Sequence, residues 1–372
     1  MTELNSIINS INSKYGKGTI RPGDEFPKYN RLSSGIFSLD LEVGGGLPKG
    51  RIVIFTGNES TGKTTVAKMA IAQAQKTCRN CMALISDCGC GETEPHKAVF
   101  VDIEGAFDPV WFSDLGGNIK DLLLIQPDFA EQACDISEAL VGSGEIDMLV
   151  VDSIAMMSPA DEVEKSSEDL LVGTHARLMN RLMRSIQSRL NSLGMLNMRK
   201  PVIILINQVR TNVGVMYGNP DTYPGGRGQK FASSITVKFT ARPSEFIFDQ
   251  SKKKDDPPVG TTVRFKVEKN KTFVPYRSGM FSIYTDDSSI AHKGSINTEE
   301  QVVDYGIRYG IISKSGAWFT IGDKQYQGKA AVCNAFIEDS QLADSVKKSV
   351  LDKVLEETSV KIVEDDTDET IS

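Results

Sequence analysis

No stretch of the sequence is apolar for long enough to span a bilayer, so a transmembrane helix is not expected. The amino-terminal stretch MTELNSIINSINSKYGKG alternates polar and apolar residues at helical spacing. It lacks the continuous apolar core and cleavage site of a signal peptide, and a cytoplasmic protein with no membrane partner is the expectation. An excess of positive charge is missing too: a formal net charge of −7 and a pI near 5.3 argue against coating nucleic acid with the whole surface. No internal repeat is visible. Cysteine is sparse outside one place, since four of the six (Cys78, Cys81, Cys88, Cys90) fall within thirteen residues, while Cys134 and Cys333 stand alone in apolar contexts. In a cytosolic chain such a cluster suggests metal before disulfides.

What is present suits a soluble globular protein, with 40% hydrophobic and 24% charged residues in a chain of 372. That length allows a large core and one or two small satellites. Net charge averages over regions of opposite sign. From Arg177 to Lys238 there are ten Lys or Arg against one acid, Asp221, whereas the stretch from Glu364 to Glu369 is acidic and too polar to pack. One region is built for phosphates and another repels them.

After a Gly/Pro-containing connector, short apolar runs alternate with helical stretches, the rhythm of a parallel α/β sheet. Strands are predicted at 51–57, 98–104, 121–127, 148–153 and 201–207, each nearly all apolar, as when both faces are covered. Beyond residue 230, SSITVKFTA and TVRFKVEKNK read as antiparallel additions at one edge. Four regions are expected: an N-terminal oligomerisation helix and connector (1–32), a core (33–285) with a Cys-rich insertion at about 77–97, a small C-terminal domain (286–355) and an acidic, disordered tail (356–372).

The strongest motif is Gly57-Asn58-Glu59-Ser60-Thr61-Gly62-Lys63-Thr64, which fits G-x-x-x-x-G-K-[ST] between a predicted strand and helix. Its glycines let backbone N–H groups wrap phosphates, Lys63 adds a point charge, and the Thr64 hydroxyl suits Mg²⁺. Thr65 completes the nucleotide-binding stretch. Asp152, ending the apolar strand MLVVD, is the expected partner of Mg²⁺ through water. Glu104 ends a third strand, where a carboxylate can activate water or, alternatively, accept hydrogen bonds from the next helix's N-terminus. Gln208 is either a γ-phosphate contact or a polar strand end.

Arg177, Arg181 and Arg184 recur at i, i+4 and i+7 and so share a helix face, one that either meets an anion or is merely solvated. The C-x-x-C and C-x-C pairs can close a tetrahedral zinc site, with His96 as a substitute ligand; redox-active thiols or a tolerated loop are the alternatives.

In order along the chain, LSSGIFSLDLEVGGGLPKGRIV, GNESTGKTT, FVDIEGAFDP, IDMLVVDSIAMMSP, ILINQVRTNVGVMYGNPDT, VEKNK and SGAWFTIGDKQYQGKA resemble the RecA family. The resemblance implies an α/β fold: a RecA-type P-loop ATPase core of mostly parallel twisted sheet flanked by helices, with an N-terminal helix and a small C-terminal α/β domain. It implies a recombinase that uses ATP and Mg²⁺, forms filaments on single-stranded DNA and pairs it with homologous duplex DNA. By matched position, Glu104 is the catalytic glutamate, Gln208 the γ-phosphate sensor, and Lys269 and Lys271 reach the neighbouring subunit's ATP. Asp108 and Trp111 fall at the adenine, although core packing is the plainer role for Trp111. DNA contacts are implied at Val172, Arg177, Arg181, Arg184, Arg210, Val213, Gly225, Gly226 and Arg227. Thr211 and Asn212 depart from the family's Met and Lys, and the acidic segment from Asp161 to Asp169 diverges as well. The cysteine-bearing connection is roughly twenty residues longer than the family's, so the resemblance does not cover it. A hexameric helicase-like ATPase shares the core but leaves VEKNK and NQVR unexplained. A DNA-binding scaffold without turnover is opposed by intact Glu104 and Gln208, and a small-molecule kinase by the lack of a lid or acceptor pocket.

Overall fold

A strand that is apolar at every position needs cover on both faces, because successive side chains point to opposite sides. The computed structural model describes residues 3–16, 19–20, 30–157, 173–196, 198–211, 221–222, 224, 228–251, 253 and 255–356. Its first half runs α1 (Glu3–Tyr15), β1 (Arg31–Leu32), α2 (Phe37–Val43), β2 (Leu47–Pro48), β3 (Ile52–Gly57), α3 (Lys63–Gln75), β4 (Ala98–Asp102), α4 (Pro109–Asp114), β5 (Leu122–Ile125), α5 (Ala130–Ser143) and β6 (Met148–Asp152). There follow α6 (Thr174–Met195), β7 (Val202–Gln208), β8 (Arg210–Thr211), β9 (Asp221–Thr222), α7 (Gly228–Ala232), β10 (Ile235–Thr240), β11 (Phe246–Ile247), β12 (Gly260–Asn270) and β13 (Ser278–Tyr284).

The main sheet has the order β11-β12-β10-β3-β7-β6-β4-β5, with β13 also paired to β12. From β10 to β5 every pairing is parallel. The segment expected as the first antiparallel addition is therefore corrected: β10 runs parallel to β3, and antiparallel pairing begins only between β10 and β12. The connection from β7 crosses over β3, which delivers β10 in the parallel sense.

Alternate residues of each inner strand feed two cores. On one face Val53, Phe55, Phe100, Val150 and Ile204 pack with Val66, Ala70 and Ile71 of α3. On the other, Ile54, Val101, Val151 and Leu205 pack with Ala133 and Val141 of α5 and with Met179, Leu182 and Ile186 of α6. No residue of α1 is buried.

The chain divides into two compact units, Met1–Thr298 and Glu299–Ser372. Residues 286–298 pack within the first, where Lys293 pairs with Asp114 of α4 at 2.8 Å and Gly294 N–H donates to Tyr284. The second contains α8 (Thr298–Arg308), the antiparallel strands β14 (Ser313–Ser315), β15 (Trp318–Ile321) and β16 (Lys324–Gln327), then α9 (Lys329–Glu338) and α10 (Ser340–Glu356). Val302, Phe319, Val332, Phe336, Val346 and Val350 are among its buried apolar residues.

Candidate nucleotide and DNA site

Parallel strands in register end together, so their following loops share one crevice. Gly57 pairs with Gln208 and Asp102 with Asp152, which aligns the carboxyl ends of β3, β7, β4 and β6. Gly57 has φ 151°, and a Cβ there would stand 2.4 Å from the Phe239 carbonyl oxygen, so the close passage over β10 requires glycine. Gly62, at φ 85°, begins α3 without a side-chain cap. The first-turn N–H groups of this thirteen-residue helix therefore have no side-chain cap partner at Gly62, an arrangement suited to an anion.

Lys63 donates to the Asn58 carbonyl at 2.6 Å, and Thr61 Oγ1 donates to the same oxygen at 2.8 Å. Burial lowers the Lys63 ammonium from its ordinary value, opposed by the charges of Asp152, Glu104 and Glu59. Thr64 Oγ1 donates to Asp152 Oδ2 at 2.6 Å. Burial pushes the Asp152 carboxyl up to about 6, with the Thr64 hydrogen bond acting against it and the Glu104 charge adding to it.

Glu104 is exposed, and its Oε1 accepts from Ser153 Oγ at 2.6 Å and from Gln208 Nε2 at 3.3 Å. Capping falls to other carboxylates: Asp102 accepts from the Ala106 and Phe107 N–H groups, and Asp108 Oδ1 caps α4 by accepting from Val110 and Trp111. Glu104 is thereby left facing the crevice rather than a helix end. The Trp111 indole N–H donates to Thr65 Oγ1 at 3.4 Å while its ring packs against the core, so the contact with the P-loop helix and the packing role coexist.

Two neighbours carried no signal in the sequence. Ser153, which follows Asp152 across a cis peptide, orients Glu104. Lys68, buried in α3, holds its ammonium 4.5 Å over the Phe107 ring and is lowered by burial, against the charges of Asp108, Asp152 and Asp102.

Not all the expected residues converge here. Lys269 and Lys271 lie near the amino end of β3, because Thr236 pairs with both Lys269 and Ile54, and Ile235 with both Asn270 and Val53. Lys269 stands about 10 Å along the sheet from Gly57 and Lys271 about 16 Å. Lys269 Nζ donates to Ser233 Oγ at 3.4 Å and Lys271 Nζ to the Phe231 carbonyl at 3.0 Å. Burial and the Lys271 charge bring Lys269 down to about 8.

Arg177, Arg181 and Arg184 are all exposed on α6, but they are not equivalent. Arg181 pairs with Asp135 of α5 at 2.9 Å, and Arg184 Nε donates to the Asn180 carbonyl of its own helix. After β7, Val209 N–H donates to the Gly57 carbonyl at 3.2 Å, and Arg210–Thr211 pairs antiparallel with Asp221–Thr222. This short ladder closes the loop at its base. Val172, Val213, Gly225, Gly226 and Arg227 lie outside the described residues, as does the acidic tail.

The four clustered cysteines are brought together, with all sulfurs within 4.8 Å of one another. Sγ distances are 3.7 Å for Cys78–Cys90, 3.5 Å for Cys81–Cys88 and 3.2 Å for Cys88–Cys90. His96 is not part of the group: its ring is buried, with Nδ1 2.9 Å from the Thr77 carbonyl. The substitute-ligand expectation is therefore corrected.

The RecA N-terminal domain family model matches residues 2–289, and the RecA C-terminal domain model matches residues 300–355. The chain is 37% identical to a Protein RecA of Clostridium perfringens, over 98% of this chain and 95% of that one. It is 38% identical to a Protein RecA of Oceanobacillus iheyensis (95% and 94% covered) and 37% identical to one of Teredinibacter turnerae (97% and 96%).

Proposed function

We infer the function from one premise: the chain belongs to the RecA family. It is a recombination and DNA-repair protein, a strand-exchange recombinase with DNA-dependent ATPase activity. The family uses ATP with Mg²⁺ and assembles as filaments on single-stranded DNA that pair with homologous duplex.

The observation that carries the residue-level reading is the hydrogen bond from Gln208 to Glu104, made where the P-loop, Asp152 and the base of the β8–β9 loop meet. In this reading the loop from Gly57 to Thr65 holds the triphosphate, with Lys63 against its outer phosphates. Thr64, with Asp152 behind it, would hold Mg²⁺, which would supply neutralisation of the phosphate charge. Glu104, oriented by Ser153, takes the proton of the attacking water. Gln208 exchanges Glu104 for the γ-phosphate and transmits that exchange to Val209, which is bonded to Gly57, and so to the loop beyond. Asp108 and Trp111 flank the base.

Lys269 and Lys271 complete a neighbour's site rather than their own, since their height in the sheet keeps them from their own P-loop. Exposed α1 is the element assigned to docking on the next subunit. Arg177, Arg184 and the loop opened by Arg210 are the DNA contacts, with Arg181 secondary because Asp135 already occupies it. The four cysteine sulfurs take no part in this chemistry; the ion assigned to them is a thiophilic one of the zinc type.

A joint-molecule assay tests the reading. With ATP, Mg²⁺ and a single strand, product is expected with a homologous supercoiled duplex and not with a heterologous one. Equal product from both, or none from protein that binds the strand and hydrolyses ATP, would refute it.

A further inference from the structure

Within the connection from α3 to β4, sixteen consecutive residues, Asn80 to Pro95, have no buried side chain. Met82 is 36% exposed and Leu84 44%, so no apolar cluster holds this segment. It is nevertheless folded. Cys78 and Met82 close a tight turn through Met82 N–H donating to the Cys78 carbonyl, with Met82 in the left-handed region at φ 65°. A 3-10 turn covers Ile85–Asp87, and bridges join Thr77 to Leu84 and Cys78 to Pro95. Ordering a loop of this length costs backbone entropy that burial does not offset here.

The sulfurs are the feature that remains. Sulfurs at the corners of a tetrahedron about 2.3 Å from a central zinc stand about 3.8 Å from one another. The distances of 3.7, 3.5 and 3.2 Å link Cys78, Cys90, Cys88 and Cys81 in one continuous group. All six pairwise separations stay within 4.8 Å, which four thiolates on one ion explain and two separate disulfides do not require. We propose that Cys78, Cys81, Cys88 and Cys90 bind one Zn²⁺ in a closed, structural site that folds the connection between α3 and β4.

The position of the site fixes its role. Arg79, between the first two ligands, sends its guanidinium to Asp147 at 3.2 Å, to Glu94 at 3.2 Å and to the Glu145 carbonyl at 3.3 Å. Asp147 immediately precedes β6, and its N–H donates to the Lys97 carbonyl just before β4. The metal loop is therefore tied to the amino ends of β4 and β6, about 13 Å along the strands from Asp102 and Asp152. With four protein ligands no position remains for substrate, and the ion is a staple rather than a reagent. The inference stands apart from the recombinase reading and does not need it.

Elemental analysis of the full-length protein, purified with reductant and without chelator, tests the proposal. About one zinc per chain is expected, retained in Cys134→Ser/Cys333→Ser and lost in Cys78→Ser/Cys81→Ser and in Cys88→Ser/Cys90→Ser. Exchange with Co²⁺ should give the visible bands of a tetrahedral thiolate site, and stripping the metal should lower the melting temperature by at least about 4 °C. If the cysteine pairs are needed for folding, metal content and Co²⁺ spectra of the wild type still decide the matter. Metal-free wild type that melts normally with four freely titrating thiols in this loop overturns the proposal, as does a mass showing two disulfides.

Discussion

Glu104 and Lys63 sit in one crevice, and in the proposed reading they act at different moments of the reaction. In that reading Lys63 would face the phosphates in ground and transition states alike and Glu104 would touch only the water, so the two substitutions should separate binding from chemistry. Lys63→Ala is expected to abolish turnover. Glu104→Ala should keep ATP binding and lose hydrolysis by about 10²–10⁴-fold, a contribution typical of a general base. DNA-stimulated phosphate release alongside nucleotide binding measures both, and parental turnover in Glu104→Ala would remove the base assignment. Asp152 makes a prediction about pH. Its folded value of about 6 exceeds the 3.8 of an exposed carboxyl, so folding favours the protonated form. Its contribution to stability is full below the unfolded value and is lost as pH rises through about 6. Asp152→Asn, which can still accept from Thr64, should therefore stabilise the metal-free protein at neutral pH by about 1–3 kcal/mol while destroying ATPase activity. Melts of the metal-free protein at several pH values check this: a gain that does not shrink toward pH 4 counts against burial as the cause.

At the scale of elements, the helix α6 shows why equal spacing does not mean equal function. Its apolar face, with Met179, Leu182 and Ile186, is fixed against the sheet, which leaves all three arginines exposed, yet Arg181 is drawn to Asp135 on α5. Arg177→Ala and Arg184→Ala should each weaken single-strand binding and reduce the salt slope by about 1, the change expected for one lost phosphate contact. Arg181→Ala should do less, because its ion pair already competes with phosphate; fluorescence anisotropy across a salt series distinguishes the three. The convergence of the residues proposed for the nucleotide site was legible in the sequence because the signals are local: a glycine loop between strand and helix, and acids at the ends of apolar strands. The Arg181–Asp135 pair was hidden because it joins residues forty-six apart on different helices. The parallel sense of β10 was hidden for a related reason: alternation reports which face of a strand is covered and says nothing of its direction. Cysteine spacing pointed to chelation, but His96 was excluded only by its burial against Thr77, a contact that ligand counting does not reveal.

For the whole molecule the decisive fact is the separation of Lys269 and Lys271 from their own P-loop. β12 runs antiparallel to β10, and the register carries both lysines toward the start of β3 while Gly57 lies at its end. An arrangement in which each subunit lends lysines to the next is a heterologous contact, and repeating it produces a helical filament if the rotation does not close. It also makes the ATPase site a shared property, which gives a test that needs no structure of the assembly. On the proposed reading Lys63→Ala would lack the phosphate lysine but retain the lent ones, and Lys269→Ala/Lys271→Ala would retain the P-loop but lend nothing. Each alone should be inactive. In a random 1:1 mixture about one interface in four joins an intact P-loop to intact lending lysines, so DNA-stimulated turnover should return to about a quarter of the parental rate. It should depend on the mixing ratio with a maximum at equal amounts. If the lysines served their own subunit, no mixed interface would be complete and the mixture would stay as inactive as its parts.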